Sequence, residues 1–267
     1  MTVLQALVLG AVQGLTEFLP VSSSGHLVLA NYYLGWGDRL PLWVDIATNT
    51  GTVLAVVVYL WRDVAAAVGG FFAGLASAEA RARPGWRLAL LVLAGSVPTA
   101  AIGLALRGVF ESLNAPLPVA IALAVTGLIL WFAPRSGPKR EPGDLSYADA
   151  LVAGVVQGIA VVPGISRSGS TIASLLARGA DRELAPRVSF LLYLVVSLGV
   201  AVFGIGDVRE AEVPLVPLVA MVASSFAVGY LALVTVFAVL RRGRFRAFAP
   251  YLWALSAVTI ASVLLGR

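Results

Sequence analysis

Two segments of this chain, 1–36 and 149–178, set Pro, Gly and several Ser into otherwise apolar sequence, and they repeat one another. Gly10-Ala-Val-Gln13-Gly14 overlies Gly154-Val-Val-Gln157-Gly158, and Ser22-Ser23-Ser24-Gly25 falls on Ser166-Arg167-Ser168-Gly169 at the same offset of 144 residues. Each segment reads as a helix pair broken at membrane depth. Irregular backbone survives there only where protein or a water-filled cavity satisfies its N–H and C=O groups. A duplicated break of this kind predicts a cavity near the midplane with half-helix N-termini aimed into it, suited to a polar, anionic ligand.

The membrane reading rests on the sequence around these segments. The 267 residues are 59% hydrophobic and 12% charged, with a mean hydropathy of +0.92, against roughly 25% charge in soluble domains. Six stretches read as full spans: 42–61, 88–106, 116–133, 188–205, 214–240 and 248–265, with Asp45 the only charge inside any of them. Basic loops carry Arg62, Arg81, Arg83 and Arg87; Arg135, Lys139 and Arg140; Arg178 to Arg187; and Arg241 to Arg246, which places them on the cytoplasmic side. The loops Arg107 to Ala115, with Glu111, and Asp207 to Val213, with Asp207, Glu210 and Glu212, fall opposite when the spans alternate. The span beginning near 42 then runs inward and its counterpart near 188 outward. The expected fold is thus an all-α integral membrane protein of inverted-topology repeats, with six full transmembrane helices and two re-entrant broken helix pairs. It forms one membrane domain over 1–267, with a first repeat over 1–140 (re-entrant 1–36) and a second over 141–267 (re-entrant 149–178). Gln13, Glu17 and Pro20 interrupt the N-terminus too early for a signal peptide. The net charge of +5 follows from the loop arginines and needs no nucleic acid, and the absence of Cys removes disulfides and thiolate metal sites.

The first broken segment gathers Gln13, Glu17, Ser22, Ser23, Ser24, Gly25 and His26 into fourteen residues, with Gln13 and Glu17 on one helical face. Ionisable groups in membranes are costly and mark functional paths. The second holds Pro163-Gly164-Ile165-Ser166-Arg167-Ser168-Gly169-Ser170-Thr171. Arg is permanently charged and donates paired hydrogen bonds to phosphate, while glycine allows backbone N–H groups to form an anion nest at a helix start. Together the loops suit phosphoryl transfer. Arg167 neutralises the transferring phosphate, and Ser166, Ser168 and Thr171 help cradle it. Ser23 is the candidate nucleophile with His26 as general base; a scheme with His26 as nucleophile or activator of water, and Ser23 as a ligand, stands equally. Glu17, alone or with Gln13, orients His26, protonates the leaving group, or holds a hard divalent cation such as Mg2+ or Ca2+.

These two signatures, Gln13-Gly-Leu-Thr-Glu17-Phe-Leu-Pro-Val-Ser-Ser-Ser-Gly-His26 and Pro163-Gly-Ile-Ser-Arg167-Ser-Gly-Ser-Thr171, resemble those of the bacitracin-resistance family of undecaprenyl-diphosphate phosphatases, over essentially the whole chain. The resemblance implies hydrolysis of undecaprenyl diphosphate to the monophosphate and phosphate, recycling the carrier of cell-wall synthesis at the outer side of the plasma membrane. It also implies a divalent-cation requirement, bacitracin resistance, and inverted repeats with two re-entrant pairs. Substrate contacts would then come from Gln13, Ser22, Ser24, Gly25, Gly164, Ser166, Ser168, Gly169 and Thr171. The chain departs from the family pattern at Gln13, where many members carry Glu; at Thr48-Asn49-Thr50-Gly51, where Gln or His usually precedes Leu-Gly; and at Ser24, where Thr is common.

The rival reading is a transporter that flips the lipid carrier, because broken helices in inverted repeats are the usual build of secondary transporters. A type-2 phosphatidate phosphatase is excluded: Lys139 is the only Lys, and no Arg-Pro pair follows it at the required spacing. The expected partners are a prenyl diphosphate lipid, membrane lipid and, as a candidate, a second copy of the chain.

Overall fold

A computed structural model describes residues 1–35, 42–134, 136–137, 144–209 and 214–266. Arg135, Lys139, Arg140, Glu210 and Glu212, used above to assign loop sides, lie outside the described residues, as does the side chain of Asp207. Among the described residues every regular element is helical. The first broken pair is α1 (Val3–Phe18) and α2 (Ser23–Leu34); α3 (Leu42–Tyr59), α4 (Trp61–Ala76), α5 (Pro84–Ala105), α6 (Arg107–Ser112) and α7 (Pro116–Phe132) follow. The second broken pair is α8 (Tyr147–Ile159) and α9 (Arg167–Ala177), followed by α10 (Leu184–Arg209), α11 (Leu215–Arg241) and α12 (Ala249–Leu264).

Among the described residues, four helical stretches are long and apolar enough to cross a membrane: Pro84–Ala105, Leu184–Val202, Leu215–Arg241 and Phe245–Leu264. The span expected over 42–61 differs from expectation. Its helix ends at Tyr59, the chain turns through 86° at Leu60, and α4 continues through what reads as a loop. The turn is anchored from outside, because Arg187 of α10 makes a two-pronged ion pair with Asp63 in the first turn of α4. Counted as one bent unit, α3 and α4 bring the candidate spans to five, and α7 is shorter at 17 residues. The outside of the bundle is apolar, with Phe132 75% and Leu215 70% exposed, a surface that requires lipid rather than water.

Small residues set the packing. α1 lies along α11, and a Cβ at Gly10 would strike the Met221 carbonyl; α8 lies along α5, and a Cβ at Gly154 would strike the Gly95 carbonyl. Close backbone approach of this kind replaces the hydrophobic drive that is missing between helices in lipid. Each broken pair is thereby clamped to a long helix from the other half of the chain. Phe18, Phe190, Tyr193 and Phe237 fill the centre, with Phe18 edge-on to both Phe190 and Tyr193 at 5.4 and 6.0 Å between ring centroids.

Candidate active site

Matching caps build the two breaks. Thr2 and Gln5 form a capping box at the start of α1, and Ser146 and Asp149 form one at the start of α8. After each break a serine caps the returning helix: Ser22 Oγ accepts from Gly25 N at 3.4 Å, and Ser166 Oγ accepts from Gly169 N at 3.1 Å. Ser22 does so at φ 72°, the only non-glycine residue described with positive φ, a conformation costing about 1–3 kcal/mol. In the second break Gly164 supplies the positive φ, at 97°. Thr126 of α7 fastens this loop, donating to the Gly164 carbonyl at 2.9 Å and accepting from Ser166 N at 3.0 Å. The loops touch directly. A Cβ on Gly25 would lie 3.0 Å from Gly164 Cα, and one on Gly169 would lie 3.1 Å from Pro20 Cβ.

That contact assembles a buried polar cluster around Glu17, which is 7% exposed. One carboxylate oxygen accepts from Arg167 Nη2; the other accepts from Ser23 Oγ and, at 2.9 Å, from Gln13 Nε2. Gln13 Nε2 also sits 3.4 Å from Asn49 Oδ1 of α3. Beneath Arg167, the Tyr193 ring lies 4.6 Å from the guanidinium carbon, a cation–π contact. The Thr52 hydroxyl donates to the Asn49 carbonyl at 2.9 Å, so the 2.8 Å contact between Tyr193 OH and Thr52 Oγ1 has the phenol as donor.

Gln13, Glu17, Ser23 and Arg167 therefore converge, and His26 stands apart from them. Its Nδ1 is 2.8 Å from the Ser22 carbonyl and must donate, which leaves Nε2 to accept from Tyr251 OH at 2.7 Å; the two rings stack at 5.8 Å. His26 follows Ser23 by one helical turn on α2, so both project from the same face. Ser22, Gly25, Ser166 and Gly169 serve in the caps and loop contacts, Ser24 Oγ is 3.4 Å from Ser22 Oγ, and Ser168 Oγ is 3.3 Å from Ser166 Oγ. Thr171 is fully buried, and its hydroxyl has no protein hydrogen-bond partner. Asn49, Thr52, Thr126, Tyr193 and Tyr251 join the network although the motifs omit them. A signal existed for two of them: Thr126 is the sole hydroxyl in its span, and Tyr193 interrupts an aliphatic run.

Oxygen donors available to a hard cation are the Glu17 carboxylate, the Asn49 and Gln13 amide oxygens and the Ser23 hydroxyl. Among the described residues no group of three or more His, Asp or Glu forms a protein-only cage. The set suits a cation whose shell is completed by substrate oxygens. The cavity bounded by Glu17, Arg167, Ser168 and Tyr193 measures only about 10 Å³, with Glu17 against the Arg167 guanidinium.

Comparison with known proteins gives one consistent answer. The sequence model of the bacitracin resistance protein BacA matches residues 6–258. An undecaprenyl-diphosphatase of Acaryochloris marina is 62% identical over 266 residues, covering the whole of both chains. Undecaprenyl-diphosphatases of Rubrobacter xylanophilus and Moorella thermoacetica are 43% and 39% identical, over 98% and 100% of both chains respectively. Full-length likeness of this depth, on a chain whose two signature loops meet around one carboxylate, means that it belongs to the bacitracin resistance protein BacA family.

Proposed function

We propose that this protein hydrolyses undecaprenyl diphosphate to undecaprenyl phosphate and inorganic phosphate, recycling the carrier lipid of cell-wall synthesis and conferring resistance to bacitracin. The observation that carries the reading is the position of Glu17, shared between the Ser23 hydroxyl and the Arg167 guanidinium. A nucleophile hydrogen-bonded to a base, with the base held by a third group, is the arrangement covalent catalysis requires. Ser23, Glu17 and Gln13 occupy those three positions, and Asn49 sits behind Gln13.

In the proposed reaction the terminal phosphoryl group displaces Glu17 from Arg167, whose N–H groups then balance the charge on the phosphoryl oxygens. Ser23 Oγ passes its proton to Glu17 and bonds to the terminal phosphorus; the bridging P–O bond breaks, and the prenyl monophosphate leaves with that electron pair. Water then attacks the phosphoserine with the Nε2 lone pair of His26 as the base that takes its proton once Tyr251 lets go; the Ser23 Oγ–P bond breaks, Oγ takes back the proton held on Glu17, and inorganic phosphate is released. A second scheme, in which His26 activates water directly and Ser23 is a ligand, gains support from the hydrogen bond that keeps His26 away from Ser23. A divalent cation, Mg2+ or Ca2+, would be held by Glu17 and the diphosphate oxygens; when bound it would offset the charge of the diphosphate.

The wider architecture belongs to the same proposal: six full spans in two inverted repeats, a multi-pass location in the plasma membrane, and a site open to its outer side. The duplicated caps and the reciprocal packing of α1 on α11 and α8 on α5 support it. Lipid flipping is the rival use of such an architecture. The deciding experiment is phosphate release from undecaprenyl diphosphate by purified protein, with and without divalent cation, alongside Arg167→Ala and His26→Ala. Turnover that collapses in folded variants supports the hydrolase. Bound substrate with no turnover under any metal condition would make transport the leading reading.

A further inference from the structure

His26 is the only imidazole in the chain, and both of its nitrogens are engaged by groups outside the Glu17 cluster. Nδ1 donates to the Ser22 carbonyl at 2.8 Å, which leaves the lone pair on Nε2. That lone pair accepts from the Tyr251 hydroxyl at 2.7 Å. In both schemes of the proposed reaction the Nε2 lone pair takes the proton of water. The atom the chemistry needs is therefore occupied by a residue that belongs to neither broken pair.

We infer that Tyr251 is a positioning residue that parks His26: its hydroxyl keeps Nε2 out of use, and the bond must open in every turnover. The inference rests on the reading of His26 as the base. The geometry of the pair carries it first, because the hydrogen bond and the ring stack, with centroids 5.8 Å apart and planes 18° from parallel, fix both the place and the orientation of the imidazole.

The post that presents the phenol is itself anchored. Trp253 of α12 donates its indole N–H to the Ala124 carbonyl of α7 at 3.2 Å, packs on Trp131 with ring centroids 5.5 Å apart, and fills the space that a Cβ on Gly127 would take. Gly127 follows Thr126, the residue that fastens the second break, so α7 positions the loop of Arg167 and, through α12, the hydroxyl on His26. A mere docking role for Tyr251 is met elsewhere. Tyr33 OH donates to Thr259 Oγ1 at 3.1 Å, about two helical turns along the same two helices, and α2 also packs on α1 and α7. Nor is the hydroxyl a buried donor in need of a partner, since Tyr251 is 49% exposed.

Two measurements on the purified full-length protein test the inference. With isotopically labelled histidine, nitrogen NMR sees a single pair of ring nitrogens and needs no turnover. The wild type is expected to show Nδ1 protonated and Nε2 as an unprotonated acceptor, whose resonance moves in Tyr251→Phe and stays in Tyr33→Phe. Two protonated nitrogens, or an Nε2 resonance unmoved by Tyr251→Phe, would overturn the parking bond. Phosphate release from undecaprenyl diphosphate gives the kinetic half. Tyr251→Phe keeps the ring and should raise kcat about two- to tenfold, the range set by one hydrogen bond that no longer has to break. Tyr33→Phe should leave kcat unchanged, and in a His26→Ala background Tyr251→Phe should not alter the residual release. An unchanged or lower kcat in Tyr251→Phe, an equal rise in Tyr33→Phe, or a rise that survives in His26→Ala would overturn the inference. Absence of release by the wild type would overturn the hydrolase reading and the parked base with it, while the NMR result still reports the bond, so the two failures are distinguishable.

Discussion

The two broken helix pairs share a scaffold and divide the chemistry. Residue for residue at the 144-residue offset, capping box matches capping box, Gln13 matches Gln157 and cap serine matches cap serine. The same register sets Glu17 against Val161, Ser23 against Arg167 and His26 against Ser170. One loop holds the anion, the hydroxyl and the imidazole, and the other holds the cation, so neither half contains a site by itself. They also differ in bracing. In the second pair Arg178 bonds Asp149 at 2.7 Å and ties the end of α9 to the start of α8, whereas α1 of the first pair starts on the neutral Thr2–Gln5 box and the pair carries a non-glycine positive φ at Ser22. A duplicated frame is thus braced by an ion pair in the half that carries Arg167 and strained at Ser22 in the half that carries Ser23.

Removing the cation breaks this division in turnover and in stability together. Arg167→Ala is expected to lower turnover by about 10²–10³-fold, the usual cost of losing a donor to the developing charge. It also leaves Glu17 buried without its partner, at a cost of about 3–5 kcal/mol. The double variant Glu17→Gln/Arg167→Ala should recover much of that stability in thermal unfolding while staying inactive, which separates the structural from the catalytic effect. The next contrast sets equivalent caps against unequal chemistry. Ser23→Ala should reduce phosphate release by about 10³-fold with little loss of stability, as expected for a nucleophile. Ser166→Ala, which removes the cap of α9, should cost about 1 kcal/mol and keep most of the turnover. Similar activity losses in the two would show that the loops are not divided as proposed.

The sequence made both loops legible because polar residues at membrane depth have few innocent explanations, and because duplication fixed their register. It also showed which side chains carry charge, although the pairing of Glu17 with Arg167 appears only in the structure. Three features were not legible. The sequence over α4 reads as a basic loop, since Arg62 and Asp63 mask an apolar helix whose 86° turn is braced by an ion pair to Arg187, 124 residues away. The sequence leaves His26 open as general base for Ser23 or as nucleophile or activator of water, and it does not show that the hydroxyl bonded to the ring comes from Tyr251, 225 residues on. Asn49 read only as a departure from the family motif, and its contact with Gln13 depends on how α3 leans on α1. Contacts across such separations are products of packing, and local pattern does not encode them.

Gln13→Glu sharpens the comparison with a smaller effect, by adding a second carboxylate to the anionic loop. Gln13 now donates to Glu17; a glutamate in its place must hold a proton to do so, and two adjoining carboxylates share it. Gln13→Glu should therefore keep turnover near wild type, whereas Gln13→Leu, which cannot donate to Glu17, should lose about 0.5–1.5 kcal/mol in thermal unfolding together with part of the phosphate release. Equal phosphate release by the two variants would mean that the bond from residue 13 to Glu17 does not serve the reaction.

The smallest expected effect concerns the cationic half, at Tyr193. Its ring lies under Arg167, and its hydroxyl donates to Thr52. Tyr193→Phe keeps the ring and removes one hydrogen bond, an expected loss of about 0.5–1.5 kcal/mol in unfolding with turnover close to wild type. Tyr193→Leu keeps apolar bulk and removes the π face, so Arg167 loses the surface that aims it; a contact of this kind is worth about 0.5–2 kcal/mol, or two- to thirtyfold in phosphate release. Steady-state kinetics then assign the role: a rise in KM that exceeds the fall in kcat means the ring positions Arg167 for binding, and the reverse means it holds the guanidinium for the transition state. If Leu and Phe behave alike, the ring only fills space, and the cation of the second loop is aimed by its backbone and by Glu17.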